Sequence, residues 1–230
     1  EHTRLNNLDD ARQSRSGRMA VGVSSGRAPK FLSIVLPDFQ KQYPNIQLTF
    51  NTRSHEGFES MVSAGNLDLA FVMNKADVPS EVAASLYYEP LFDYDCLLAV
   101  PPAHPAAAEA LVQPDWRLRP PVDLQDFNEE TFIQTIASDR HKTWETSIYA
   151  PYNFHPRSTI FLSDESALFD LVQAGLGCAL IQDYVAFSRK DGAFFRLDRG
   201  DSRATLCVIH RKDAVLTEAM RHFIDLVKEH

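Results

Sequence analysis

What the chain lacks narrows its roles first. No apolar run comes near the roughly 18 residues needed to cross a bilayer, so no membrane partner is expected. The opening stretch, EHTRLNNLDDARQSRS, is polar throughout and lacks the apolar centre of a secretory signal. Basic residues are outnumbered: 23 Lys and Arg stand against 31 Asp and Glu, a formal net charge of −8. Gripping a phosphate backbone takes a basic face, so the chain is not expected to hold nucleic acid by itself. Cysteines number only three, Cys96, Cys178 and Cys207, all in apolar runs and none in CxxC spacing. That argues against a disulfide framework or a zinc site. Buried reduced thiols are expected instead, and with them a reducing, cytoplasmic compartment. The eight histidines fall in no HExxH-like spacing, there is no P-loop, and no carboxylate pair is set apart for acid–base work. No catalytic residue, metal or cofactor is expected.

What is present is an ordinary globular balance, 44% hydrophobic and 23% charged over 230 residues. That length suits one large domain or two small lobes. RMAVGVS reads as a buried strand. The following APKFLSIVLPDFQKQYP carries Phe31, Leu32, Val35, Phe39 and Tyr43 at helical spacing, with Pro29 suited to a first turn and Pro37 expected to bend the middle. IQLTF alternates like a strand, a helix with Phe58, Met61 and Val62 follows, and LDLAFVM is the next strand. Such rapid alternation argues a parallel α/β sheet. The middle, AASLYYEPLFDYDCLLAVPPAHP, predicts two extended pieces broken at Pro90, and residues 106–121 read as surface loop. Alternation then resumes: TFIQTI strand, SDRHKTWETSIY helix, STIFLS strand, DESALFDLVQA helix, GCALI strand. ATLCVIH is a last strand, and AVLTEAMRHFIDLVKEH an amphipathic helix with Leu216, Met220, Phe223, Ile224 and Val227 on one stripe.

One joint occurs twice. MVSAGNLDLAFVM and LVQAGLGCALIQD each run an apolar helix end into Ala-Gly and then a short apolar strand. Gly65 and Gly175 are expected at helix carboxyl ends, each feeding a strand of a different sheet. The duplication points to two similar lobes. The second glycine of AGLGCA is read as tight packing.

FQKQYPNIQL, GNLDLAF and VPPAHP, in that order and spacing, with VDLQDF and DLVQAGLGCALI beyond, resemble the effector-binding domain of LysR-type transcriptional regulators from about Gly17 to the end. The resemblance implies an α/β, two-lobed, type 2 periplasmic-binding-protein-like fold. Each lobe would be a mixed sheet flanked by helices, with a small polar or anionic metabolite between them. It implies lobe I at 17–93 and 203–230, lobe II at 94–202, and residues 1–16 as a linker remnant. It also implies a homodimer or homotetramer that meets DNA only through a missing amino-terminal winged helix-turn-helix domain. Two departures stand out: YAPYNFHPR occupies the stretch where the family has a longer helix and a Gly-rich turn, and Gln182 stands where a proline often follows the strand. The alternative is a solute-binding protein of a transporter with the same lobes; an enzyme on a related scaffold is the third reading.

Candidate effector contacts lie at the strand-to-helix joints: Ser24 and Ser25, Ser54 and His55, Thr135 and Ser138, and Ser163 and Asp164. Small hydroxyl residues there, beside helix N–H groups, suit carboxylate, phosphate or hydroxyl oxygens. Each has a plainer reading. Ser24 and Ser25 would cap a helix, His55 would face solvent, and Asp164 would be a cap. Arg140 and His141 would pair an anion or form a solvated helix face. GVSSG matches the G-x-S-x-G nucleophile elbow. It lies on the first strand, though, without the strands and oxyanion loop that should precede an elbow, so binding is preferred over nucleophilic chemistry at Ser24.

Overall fold

The computed structural model describes residues 16–52, 57–73, 79–135, 148–163, 165–189, 191–199 and 202–229. They fall into two compact units, one of residues up to Phe92 together with Leu206 onward, the other Asp93–Thr205.

The first unit begins with strand β1 (Ser16–Gly22), helix α1 (Ala28–Gln42), strand β2 (Asn45–Asn51), helix α2 (Phe58–Ser63) and strand β3 (Leu69–Met73). β1 pairs in parallel with β2 on one side and β3 on the other. Helix α3 (Ser80–Ser85) leads into the long strand β4 (Leu86–Val100), and the unit closes with strand β9 (Arg203–Arg211) and helix α7 (Glu218–Lys228). β3 runs antiparallel to β9, so the sheet is mixed. All five residues of β3 are buried, because both faces are covered. On one face Phe71 meets Phe31 of α1 at 4.9 Å and Phe223 of α7 at 6.1 Å, and Phe223 meets Phe39 edge-on at 5.2 Å. On the other, Ala70 and Val72 join Phe58 and Val62 of α2 with Leu86 and Ile209. Burying each such Phe contributes about 1.5–3 kcal/mol. α1 runs unbroken through Pro37, where a bend was expected, and holds Phe31, Val35 and Phe39 on its buried face. The stripe read on α7 buries Phe223, Ile224 and Val227, and Thr217 caps the helix by accepting the Met220 N–H at 3.2 Å.

The second unit contains helix α4 (Ala107–Val112), strands β5 (Thr131–Thr135) and β6 (Ser158–Leu162), and helix α5 (Leu168–Gln173). Strand β7 (Ala179–Gln182), helix α6 (Asp183–Ser188) and strand β8 (Ala193–Arg196) complete it. β5 and β6 are parallel, and β7 and β8 each run antiparallel to β4. The period of two along β4 divides two cores: Cys96, Leu98 and Val100 face Phe132, Tyr152 and Phe195, while Leu97 and Ala99 face Val172, Ile181 and Phe194.

Three expectations are corrected. β4 is one strand of 15 residues that passes through Pro90. Pro90 is exposed and carries no backbone N–H for a ladder bond. Residues 106–121 are not loop alone: α4 and a 3-10 turn at Trp116–Leu118 surround Arg119, which is only 2% exposed. Its guanidinium donates to the carbonyls of Gln113 (2.6 Å), Phe194 (2.7 Å) and Pro114 (2.9 Å) and lies 5.4 Å from the Phe195 ring. β8 and α6 had no clear sequence signal. Finally, β3 and β7 do not lie in unconnected sheets. The hydrogen-bonded path runs β2-β1-β3-β9-β4-β7 with β8 beside β4, because β4 and β9 are long enough for each to belong partly to both units.

The doubled glycine joint is present. Gly65 and Gly175 take φ of 76° and 83°. Gly65 donates to Val62 and Asn66 to Met61; Gly175 donates to Val172 and Leu176 to Leu171. Both helices thus end in the same backbone motif. Gly177 is the packing glycine: a Cβ there would stand 2.4 Å from the Thr131 carbonyl oxygen.

Candidate functional site

In the first unit the strand order β2-β1-β3 reverses direction at β1, since the chain goes to β2 on one side and then crosses to β3 on the other. Ligands of open α/β sheets collect at the carboxyl ends of strands beside such a reversal. The second unit repeats the arrangement. β5 has β6 on one side and, through the parallel bridge Phe132↔Cys178, the lead-in to β7 on the other. Backbone bonds from Cys178 to the Thr131 carbonyl and from Ile133 to the Cys178 carbonyl, both 2.8 Å, hold that junction. Each unit therefore carries its own reversal, at the ends of β1 and β5.

At the end of β1, Val23 donates to the Asn51 carbonyl at 3.0 Å, and the chain turns through Ser24, Ser25 and Gly26 into α1. The Ser24 carbonyl accepts the N–H groups of Arg27 (3.2 Å) and Ala28 (2.9 Å). Its hydroxyl does something less expected: it is buried, the residue being 1% exposed, and makes no hydrogen bond among the described residues. The helix has no side-chain cap bond, so the plain capping reading of Ser24 is corrected. Ser25 is half-buried. The 15 residues of α1 direct a positive dipole end at this turn. Arg27, at the helix entrance, is 6% exposed. Sequence reading did not single it out; the available signal was a basic residue inside the same small-residue joint, SSGR.

The first glycine of GVSSG serves packing. A Cβ on Gly22 would lie 2.8 Å from Phe58 and 2.9 Å from Leu67. Ser24 has no strained left-handed backbone; Asn153 is the non-glycine residue with positive φ among those described. Among the described residues no base lies in hydrogen-bond reach of its hydroxyl.

In the second unit Thr135 ends β5 and is 7% exposed, while Ser163 follows β6 and is exposed. The register Thr135↔Leu162 sets these two joints side by side. Ser54, His55, Ser138 and Asp164, as well as Arg140 and His141, lie outside the described residues. Gln182 ends β7, is buried, and hands the chain directly to α6. Cys96, Cys178 and Cys207 are buried and form no disulfide, as expected. No cluster of metal-ligating side chains occurs among the described residues, and no helix there is long and apolar enough to cross a membrane.

Two α/β units, each with a reversal of this kind, define a type 2 periplasmic-binding-protein-like domain. Solved structures share the fold. The regulatory domain of CcmR from Synechocystis PCC6803, in complex with 2-PG, superposes with a TM-score of 0.74 at 18% identity, over 93% of this chain and 97% of that one. HinK, a LysR family transcriptional regulator from Pseudomonas aeruginosa, gives 0.73 at 19% identity, over 99% of this chain and 75% of that one. In sequence, residues 12–230 match the LysR substrate binding domain, and the chain belongs to that family. Among curated proteins, the HTH-type transcriptional regulator MetR of Escherichia coli K12 is 24% identical over 181 residues, covering 79% of this chain and 52% of MetR. The chain spans about half the length of the curated relatives it matches.

Proposed function

We propose that this chain is the effector-sensing part of a bacterial LysR-type transcriptional regulator, that it works in the cytoplasm, and that it has no catalytic activity of its own. It binds a small polar or anionic metabolite. Ser24, Ser25 and the start of α1 supply the first unit's contacts, and Thr135 and Ser163 those of the second. Ser54, His55, Ser138 and Asp164 belong to the same four joints by sequence. The observation that carries the reading is the Ser24 hydroxyl, buried without a partner among the described residues, at a strand reversal and beside a long helix's amino end. A buried hydroxyl left unbonded costs about 1–3 kcal/mol, a cost that a bound oxygen would offset. Effector binding then biases how subunits of a dimer or tetramer are arranged, and through them a DNA-binding segment elsewhere in the protein. The relatives support a regulator over a transport protein, since MetR and LysR are regulators.

A thermal-stability screen of small carboxylates, phosphate esters and polyols tests this, because a ligand bound only by the folded state raises its melting point. The compound giving the largest rise is then measured by calorimetry on Ser24→Ala and Ser25→Ala. Loss of a hydrogen bond to a charged ligand predicts weakening of about ten- to hundredfold. Unchanged affinity in both variants, with the fold intact, would move the site away from this turn.

A further inference from the structure

A concavity of about 320 Å³ lies within the first unit and shares no lining residue with the Ser24 turn. Tyr87 and Glu89 of β4, His210 of β9, Lys212 and Leu216 of the following turn, and Arg221 of α7 line it. One side of it is aromatic: Tyr87 is half-exposed, and its ring centroid lies 5.2 Å from that of His210, the two rings tilted by 42°. The one carboxylate among these residues is already matched, since Glu89 accepts from Lys228 at 2.6 Å. The cations are not. Lys212 donates to the Ala84 carbonyl at 2.7 Å, which leaves two of its three ammonium protons for another acceptor. The Arg221 guanidinium makes no hydrogen bond or ion pair among the described residues. In a chain of net charge −8, two cations unmatched by carboxylate beside an aromatic wall form a local exception that favours an anion.

We propose that this cavity binds a small organic anion with a planar body, its acidic groups on Lys212 and Arg221 and its body over Tyr87 and His210. The assignment stands independently of the effector reading at Ser24. The test uses phthalate as probe, with inorganic phosphate as the anion lacking a body, each titrated into the isotopically labelled chain and followed by the amide resonances. Phthalate is expected to shift the amides of Tyr87, Lys212 and Arg221 saturably and to bind more tightly than phosphate. Arg221→Gln should weaken it about fivefold, the scale of a solvent-exposed ion pair. Tyr87→Ala should weaken phthalate without changing phosphate. The proposal is overturned if those amides do not shift saturably, or if phthalate binds equally well to the wild type and to the Lys212→Gln and Arg221→Gln variants. Equal affinity for phosphate and phthalate would overturn the planar-body assignment.

Discussion

Gly65 and Gly175 occupy equivalent places in two different units: the same left-handed backbone, the same pair of closing hydrogen bonds, the same exit toward a buried strand. Their surroundings differ. A Cβ on Gly175 would meet nothing within 4 Å, whereas one on Gly65 would stand 3.0 Å from an Arg211 guanidinium nitrogen that can swing aside. Gly175→Ala should therefore cost only the backbone penalty, about 1–2 kcal/mol, and Gly65→Ala about the same. Gly177→Ala is different in kind, because its Cβ would collide with the Thr131 backbone at 2.4 Å. Its cost should reach or exceed the upper end of the roughly 1–3 kcal/mol typical of overpacking. Urea unfolding of the three variants checks the ranking, and a Gly175→Ala loss as large as that of Gly177→Ala would contradict it.

Arg119 should be a stability residue with no part in binding. Its charge is buried, has no carboxylate partner among the described residues, and is held by four carbonyls and a ring face. Burial lowers its pKa, with the charges of Asp115 and Glu109 opposing. Arg119→Met would leave those carbonyls buried and unpaired, at about 1–3 kcal/mol for such a loss. Arg119→Lys should lie in between, since a single ammonium cannot span the fork. Denaturant midpoints decide it; an Arg119→Met variant as stable as the wild type would mean that the carbonyls find other donors.

Alkali should weaken the fold through Cys178. Burial, with the Glu130 charge adding to it, pushes the thiol from 9.0 up to about 12. Between those values an unfolded chain gives up the proton that the folded chain keeps. The contribution is complete below pH 9, shrinks as pH rises, and is lost through pH 12. Tyr152, pushed by burial from 10.0 to about 12, acts with the same sign. Stability measured across this range should fall, and Cys178→Ala, though less stable at neutral pH, should fall with a shallower slope. An equal slope in the two proteins would remove Cys178 as a cause.

Ser24→Ala should stabilise the chain when no effector is added, the opposite of what a helix-capping serine would do. Removing a buried hydroxyl that bonds to nothing among the described residues relieves part of its desolvation cost. In a chain of this size each kcal/mol moves the melting point by about 2–4 °C. A rise in melting point together with weaker effector binding fits a residue kept for its ligand. A lowered melting point would restore the structural role.

Much of the fold was legible in the residues because it is written in local periods. Phe31, Val35 and Phe39 repeat at helical spacing and are buried; Leu97 to Val100 show the unbroken apolar run of a strand covered on both faces. The Ala-Gly joints were readable because a left-handed helix end excludes almost every residue but glycine. The three thiols announced their burial by their neighbours. For the candidate site, the position of the Ser24 turn followed from strand, small residues and helix in succession, and Thr135 and Ser163 followed by the same rule.

What the sequence could not settle depends on partners far along the chain. Arg119 reads as one more surface cation in a Pro-rich stretch until the Phe194 carbonyl, 75 residues away, is brought within 2.7 Å. Pro90 looks like a break because a lone segment does not show which side of a strand will lack a neighbour. Nothing local distinguishes the hydroxyl of Ser24 from that of a helix cap. Its burial is set by where β2, β3 and α1 close around the end of β1, and a hydroxyl's hydrogen-bond state is a property of that enclosure, decided only when the tertiary structure forms.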